Sequence, residues 1–339
     1  MIWTDIRDLR IEGQGWTDTK APFDRLPARA EGVVRDVVWD LSRHSAGLCV
    51  KFKTDAKEIH ARWTLTLDRL AMSHMPATGV SGLDLYIDTP DGSRWAGSGR
   101  PETLPDVEAA LISGMEEGEK VCSVYLPLYN GVSSVEIGIP EGASIVATER
   151  ASGRKTVVFY GTSITHGASA SRTGTCHVAR VGRALDCETI NLGFAGNGMM
   201  EPEVADYLAE LNPDIYVVDC LPNMVGELVT ERMAHLVKTL RAKHADTPIL
   251  LVEDRTYGDA HFVVSRRVRN ETSRQAFQDV YSGLLADGVR GIHCLDGATL
   301  LGADGDDTVD GSHPTDLGFK RQADRFVEKI GQIMSWGGA

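Results

Sequence analysis

Thr156-Val157-Val158-Phe159-Tyr160-Gly161-Thr162-Ser163-Ile164-Thr165 is the stretch on which the fold turns. Its first five residues are β-branched or aromatic and do not alternate with polar ones. Such a run suits a short strand buried on both faces, as in a parallel sheet. It ends on a glycine and then on hydroxyl-bearing residues. Comparable runs recur at 189–192, 215–218, 249–252 and 291–295, and amphipathic stretches lie between them at 177–185, 203–211, 231–243 and 273–285. A last amphipathic stretch, 317–334, closes the chain. Alternation of this kind predicts a parallel sheet with helices on both faces.

Working back from that stretch, the grammar changes near Glu149-Arg150-Ala151-Ser152-Gly153-Arg154, a short polar joint. Residues 1–150 read as all-β. Candidate strands lie at 33–41, 48–54, 58–65, 83–88, 121–126 and 135–139, with turn signals such as Pro90-Asp91-Gly92 and Asn130-Gly131 between them. Many short strands so punctuated predict a β-sandwich, jelly-roll-like. Residues 97–119 show no clear period and are expected to form an excursion. The expectation is therefore an N-terminal β-sandwich over 1–150 and a flavodoxin-like three-layer α/β/α domain over 155–335, joined rigidly.

Composition narrows the function. The 339 residues carry a formal net charge of −13, which disfavours nucleic acid and anionic lipid as partners. No segment approaches the ~18–20 apolar residues of a membrane-spanning helix. The N-terminus, Met1-Ile2-Trp3-Thr4-Asp5, leads into no apolar signal core, and a cytoplasmic location is expected. The six cysteines form no C-x-x-C pair or common zinc spacing and read as buried thiols.

In an open α/β sheet, ligands bind beyond the carboxyl ends of the strands. The segments there are Gly161-Thr162-Ser163, Asn191-Leu192-Gly193-Phe194-Ala195-Gly196-Asn197-Gly198, Asp219-Cys220-Leu221-Pro222-Asn223, Glu253-Asp254-Arg255 and, before the last helix, Asp310-Gly311-Ser312-His313. Taken in order, these segments resemble the sequence blocks of SGNH (GDSL-like) hydrolases. The resemblance implies Ser163 as nucleophile, with His313 and Asp310 completing a catalytic triad. It implies an oxyanion hole built from the Ser163 and Gly196 amides and the Asn223 side chain. Two departures are visible: Thr162 stands where the family usually has Asp, and Leu221 and Met224 flank Asn223 where Gly and Asp are usual. Gly82-Leu83-Asp84-Leu85-Tyr86 is similar to the Gly-x-Asp-Leu-Tyr signature of β-sandwiches that precede certain SGNH esterases.

The roles make physical sense. A serine hydroxyl needs a neighbouring base to become nucleophilic. A carboxylate fixes the tautomer of that base and steadies its cation. The bland readings are a helix cap for Asp310 and Ser312, and glycines that merely permit tight turns. The resemblance implies a serine esterase acting on small acyl esters, acetyl on a carbohydrate foremost, without metal or organic cofactor. Its partner is then a small-molecule or oligosaccharide ester, and the β-half shapes the pocket or supplies a homo-oligomer contact. Alternatives are an acyltransferase with the same triad, a non-catalytic carbohydrate-binding protein and, more remotely, a cysteine hydrolase using Cys176 or Cys220. His166, Arg172, Glu253 and Arg255 are candidate substrate-binding residues. His74, in Met72-Ser73-His74-Met75-Pro76, reads as a satisfied loop histidine, although its loop could lean over the site. Five of the six tryptophans lie in the β-half, where core filling is the simpler role.

Overall fold

The computed structural model describes residues 1–335. The N-terminal half is a sandwich of two antiparallel sheets. Its elements are β1 (Ile2–Asp5), β2 (Arg10–Glu12), α1 (Asp36–Ser42), β3 (Cys49–Thr54), β4 (Ile59–Leu65), α2 (Ala77–Val80), β5 (Leu83–Thr89), β6 (Gly92–Gly99), β7 (Asp106–Ile112), β8 (Lys120–Tyr125), β9 (Val132–Ile139) and β10 (Ile145–Ala147). One sheet has the order β1-β9-β4-β7; the other runs β10-β3-β8-β5-β6, with β2 also on β3. Alternation sets the faces: Ile59, Ala61, Trp63 and Leu65 of β4 point inward to meet Val50 and Phe52 of β3.

Two expectations fail here. Residues 33–41 are not a strand: a turn leads into α1, whose Val38 and Trp39, with Val34 before it, pack against Ile190, Leu192 and Tyr207 of the C-terminal half. Tertiary contact overrides the β-branched composition. The excursion expected at 97–119 holds the end of β6 and all of β7, whose Ala109-Ala110 pair blurs its alternation.

The C-terminal half is a three-layer flavodoxin-like α/β/α unit. It comprises β11 (Thr156–Gly161), α3 (Ser163–His166), α4 (His177–Ala184), β12 (Glu188–Gly193), α5 (Pro202–Leu208), β13 (Ile215–Asp219), α6 (Gly226–Lys243), β14 (Ile249–Val252), α7 (Val264–Ala286), β15 (Ile292–Leu295) and α8 (Asp316–Met334). The all-parallel order is β12-β11-β13-β14-β15. Val157 and Phe159 pack toward α4 and α8, whereas Val158 and Tyr160 pack toward α5 and α6. That two-sided burial is why β11 reads as a continuous apolar run. The chain leaves β11 for β12 on one side and crosses from β12 back to β13 on the other, which opens a crevice above β11 at the strand ends. No helix among the described residues is long and apolar enough to cross a membrane.

The two halves meet across a buried polar seam. Asp84 of the Gly-x-Asp-Leu-Tyr motif has no exposed surface and accepts both short contacts from Arg172 (2.7 and 2.9 Å) and one from the Gly174 amide (3.0 Å). Gly82 is required because a Cβ there would meet the carbonyls of Thr78 and Gly99 at 2.6 and 2.7 Å. Arg25, wholly buried, donates to four backbone carbonyls: Leu41, His44, Asn191 and Gly193. Burial pulls its guanidinium down to about 9.

Candidate active site

Ser163 begins α3 immediately after β11. Thr162 caps that short helix, its hydroxyl accepting the Ile164 N–H at 3.2 Å, so a short polar side chain serves at the position the family gives to Asp. Ser163 is half-buried while Gly161, Thr162, Ile164 and Thr165 are buried. Its hydroxyl is thus presented at the crevice. Gly198 fits below because a Cβ would strike the Gly161 carbonyl at 1.9 Å, and a Cβ on Gly193 would likewise strike the His166 amide nitrogen at 2.1 Å. These two glycines exist for close approach.

Asp310 and His313 lie on one loop before α8. The loop is closed by the Val309 N–H donating to the His313 carbonyl at 2.9 Å and tied to its neighbour by the Gly258 N–H on the Gly311 carbonyl at 2.8 Å. His313 Nε2 stands 2.9 Å from Ser163 Oγ, and its Nδ1 stands 2.7 Å from Asp310 Oδ2. The other carboxylate oxygen accepts the amides of Ser312 and His313 at 2.9 and 2.8 Å. Partial burial works to raise the Asp310 carboxyl, but the His313 ring and these amides outweigh it and hold it at about 2. The helix cap of α8 is Thr315, whose hydroxyl accepts the Gly318 N–H, so Asp310 is not spent on capping.

The remaining donors lie on the loops after β12 and β13. Gly196 has φ +68°, a conformation that favours glycine, and its N–H meets no protein acceptor among the described residues. Asn223 ends the Leu221–Asn223 turn. With its carboxamide oxygen toward the Asn197 and Gly198 amides (3.0 and 3.2 Å), the orientation that partners both, its NH2 group stays free to donate elsewhere. Arg269 holds this turn through the Pro222 carbonyl at 2.7 Å.

Of the four substrate-binding candidates, His166 and Arg172 turn into the seam and Glu253 is buried, whereas Arg255 lines the narrow cleft at the strand ends. His166 is wholly buried, with Nε2 2.7 Å from the Leu128 carbonyl and its ring stacked on Tyr129. Burial, then the Arg25 charge, push it well below the usual histidine range, so it is a neutral seam residue. Arg172 is committed to Asp84 and lies under Trp95. Arg255 is buried against Asp219 through two contacts of 2.6 and 2.7 Å and against Gln322, beneath the crevice. Glu253 is buried and takes a hydrogen bond from Gln278. Arg172, Arg255 and Glu253 are tied to protein partners before any substrate arrives, and the one engaged nitrogen of His166 is held within the seam. Cys176 and Cys220 are buried and their thiols are pushed up by that burial, which deprives both of nucleophilic character.

Three residues near the site escaped the sequence reading or were placed otherwise by it. Tyr129 donates to the Ser163 carbonyl at 3.3 Å, and Arg266 donates to the Asp310 carbonyl at 2.9 Å. No local signal marks either. His74 reaches the rim, its ring centroid 5.6 Å from that of His313; its position inside a Met-rich loop was the only hint.

Residues 154–331 match the GDSL-like lipase/acylhydrolase family, and residues 1–145 match the GxDLY family, the N-terminus of SGNH-hydrolase-type esterases. Among solved structures, a candidate GDSL-like lipase from Bacteroides ovatus is 34% identical over 98% of each chain, with a TM-score of 0.94. A salicylyl-acyltransferase from a tetracycline biosynthetic pathway aligns at 18% identity over 98% of this chain and 97% of its own, with a TM-score of 0.79. A family two carbohydrate esterase from Cellvibrio japonicus gives 13% identity, 99% and 98% coverage and a TM-score of 0.64. Likeness at these last two identities speaks to the fold alone. No curated protein matches the chain significantly. From the family match over 154–331 and a relative alike along nearly its whole length, the chain belongs to the GDSL-like lipase/acylhydrolase, or SGNH hydrolase, family.

Proposed function

We propose that the chain is a serine esterase that hydrolyses small acyl esters, acetyl esters of a carbohydrate foremost, through an acyl-enzyme on Ser163. The observation that carries this reading is the continuous relay from Ser163 Oγ to His313 Nε2 (2.9 Å) and from His313 Nδ1 to Asp310 (2.7 Å). In this reading His313 takes the hydroxyl proton as Oγ attacks the ester carbonyl. The oxyanion forms among the Ser163 and Gly196 amides and the Asn223 NH2 group. The C–O bond to the alcohol then breaks, and His313 returns the proton to the departing oxygen. Water attacks the acyl-enzyme with His313 again as base, and Ser163 leaves with the proton. Asp310 stays ionised throughout and stabilises the imidazolium.

The small acyl group is in keeping with the narrow cleft at the strand ends, lined by Ile164, Pro222, Arg255, Tyr257, Leu301 and Ser312. The carbohydrate half rests on the likeness in fold to the family two carbohydrate esterase from Cellvibrio japonicus. A second reading, acyl transfer to a hydroxyl acceptor, is favoured by the salicylyl-acyltransferase that superposes along the whole chain.

Turnover of p-nitrophenyl acetate and p-nitrophenyl octanoate by the wild type and Ser163→Ala tests the proposal. Acetate should be turned over well and octanoate poorly. The substitution should cost roughly 10⁴–10⁶-fold in kcat, down to background. Equal rates in both proteins would refute the nucleophile. An added alcohol that captures most of the acetyl group would favour the transferase.

A further inference from the structure

The loop spanning 66–76 leaves β4 on the sandwich and crosses to the rim of the parallel sheet. Buried Asn130 fixes its first half. The Asn130 Nδ2 donates to the Leu67 and Arg69 carbonyls at 3.2 and 3.0 Å, and its Oδ1 accepts the Leu67 N–H at 2.9 Å. Met75 fixes the second half by burial in the core that also holds Ile164 and Ala170. Thr78 adds a hydrogen bond to the Ser171 carbonyl at 2.5 Å. Between these anchors Met72 and Met75 exchange both backbone hydrogen bonds, at 2.9 and 3.1 Å. Ser73 and His74 are therefore the tip of a two-residue hairpin turn, held in place from both ends.

The His74 ring sits beside that of His313, with centroids 5.6 Å apart and planes tilted by 37°. It is half-buried, and neither ring nitrogen has a hydrogen-bond partner among the described residues. This sets it apart from Arg172 and Arg255, whose guanidinium groups the protein itself engages. A rigidly held ring with unused polar atoms at the mouth of a crevice is prepared for a group that arrives from solvent. The chemistry says which group. His313 returns a proton to the departing oxygen, so the alcohol half of an ester lies against His313, whose ring His74 adjoins.

We propose that His74, lent by the β-sandwich, contacts the alcohol half of the substrate, hydrogen-bonds one of its hydroxyls and so selects esters of polyhydroxylated alcohols. The inference rests on Ser163 as nucleophile and deepens that reading. His74 then acts while the alcohol is bound and has no partner once the acyl-enzyme stands alone. It belongs to specificity, not to the proton relay.

The test compares glyceryl monoacetate, whose alcohol carries free hydroxyls, with p-nitrophenyl acetate, whose alcohol carries none. The proteins are the wild type, His74→Ala, His74→Asn and Ser163→Ala. In His74→Ala, kcat/KM for glyceryl monoacetate should fall about tenfold, the worth of one hydrogen bond, with p-nitrophenyl acetate changed by less than about twofold. Deacylation of the pre-formed acetyl-enzyme should be unaffected, and His74→Asn should recover part of the loss. Equal losses on both esters, or slowed deacylation, would make His74 a positioning residue for His313 and overturn the inference. So would no loss on either. Unaltered turnover of both esters by Ser163→Ala would instead bring down the nucleophile and the inference with it.

Discussion

Asp310 on the rim and Asp84 in the seam are both carboxylates paired with a basic side chain, and they answer burial in opposite ways. Asp310 keeps 47% of its side chain exposed, and the His313 ring and two amides hold it at about 2. Asp84 has no exposed surface, and burial pushes its carboxyl upward despite Arg172, the Gly174 amide and the Trp95 indole. At the rim, solvent lowers the cost of charge and the protein adds only what orients a base. In the seam, every lone pair must be answered from within, and the reward is a fixed joint between the two halves. The same contrast separates Ser163, whose hydroxyl meets His313 at the crevice, from Arg25, whose partners are built in.

If rim and seam divide chemistry from attachment in this way, substitutions should separate the two readouts. Asp310→Asn should lower kcat for p-nitrophenyl acetate by about 10³–10⁴-fold, through loss of the imidazole tautomer, with only a modest fall in the unfolding temperature. Asp84→Asn should do the reverse. It leaves Arg172 without its charge partner and should cost about 3–5 kcal/mol, read as a lower denaturant midpoint, while the folded enzyme keeps its kcat. A large loss of kcat in Asp84→Asn at full stability would break the comparison.

The smallest expected effect is in pH. The Asp310 carboxyl is depressed in the folded state, so its stabilisation is present above the ordinary carboxylate range and fades as the pH falls through about 2. The wild type's advantage over Asp310→Asn in denaturant midpoint should therefore shrink in acid. Asp84 is raised, so its own share runs the other way: it is largest in acid and declines as the pH rises through the raised value. Parallel pH trends for the two variants would contradict the assignment of opposite shifts.

Legibility in the sequence followed burial geometry. β11 to β15 are buried on both faces, so their runs are continuous and their ends, where Ser163 and Asn223 sit, are easily found. Asp310 and His313 are three residues apart on one loop, and their contact needs little help from the rest of the chain. Residues 33–41 misled because Val33, Val34, Val37 and Val38 suit a strand, whereas a neighbour remote in sequence supplies the surface that makes Asp36–Ser42 a helix. β7 was invisible because Ala109 and Ala110 carry little alternation.

His166 and Arg172 were placed at the site because they follow the nucleophile in sequence. Sequence proximity puts a backbone near the crevice, but it does not say which way a side chain turns. The sandwich docks on that flank, so Leu128 and Asp84 claim both residues. By itself the sequence determined the order of elements, the parallel sheet and the blocks that carry Ser163, Asn223, Asp310 and His313, because these depend on local period and on short loops. Only the tertiary structure decided which polar residues remain free at the crevice, and that His74 comes from the other half to join them. Those outcomes depend on contacts between segments far apart in the chain, such as Asn130 with Leu67, 63 residues away, or Asp84 with Arg172, 88 residues away, and no local pattern encodes them.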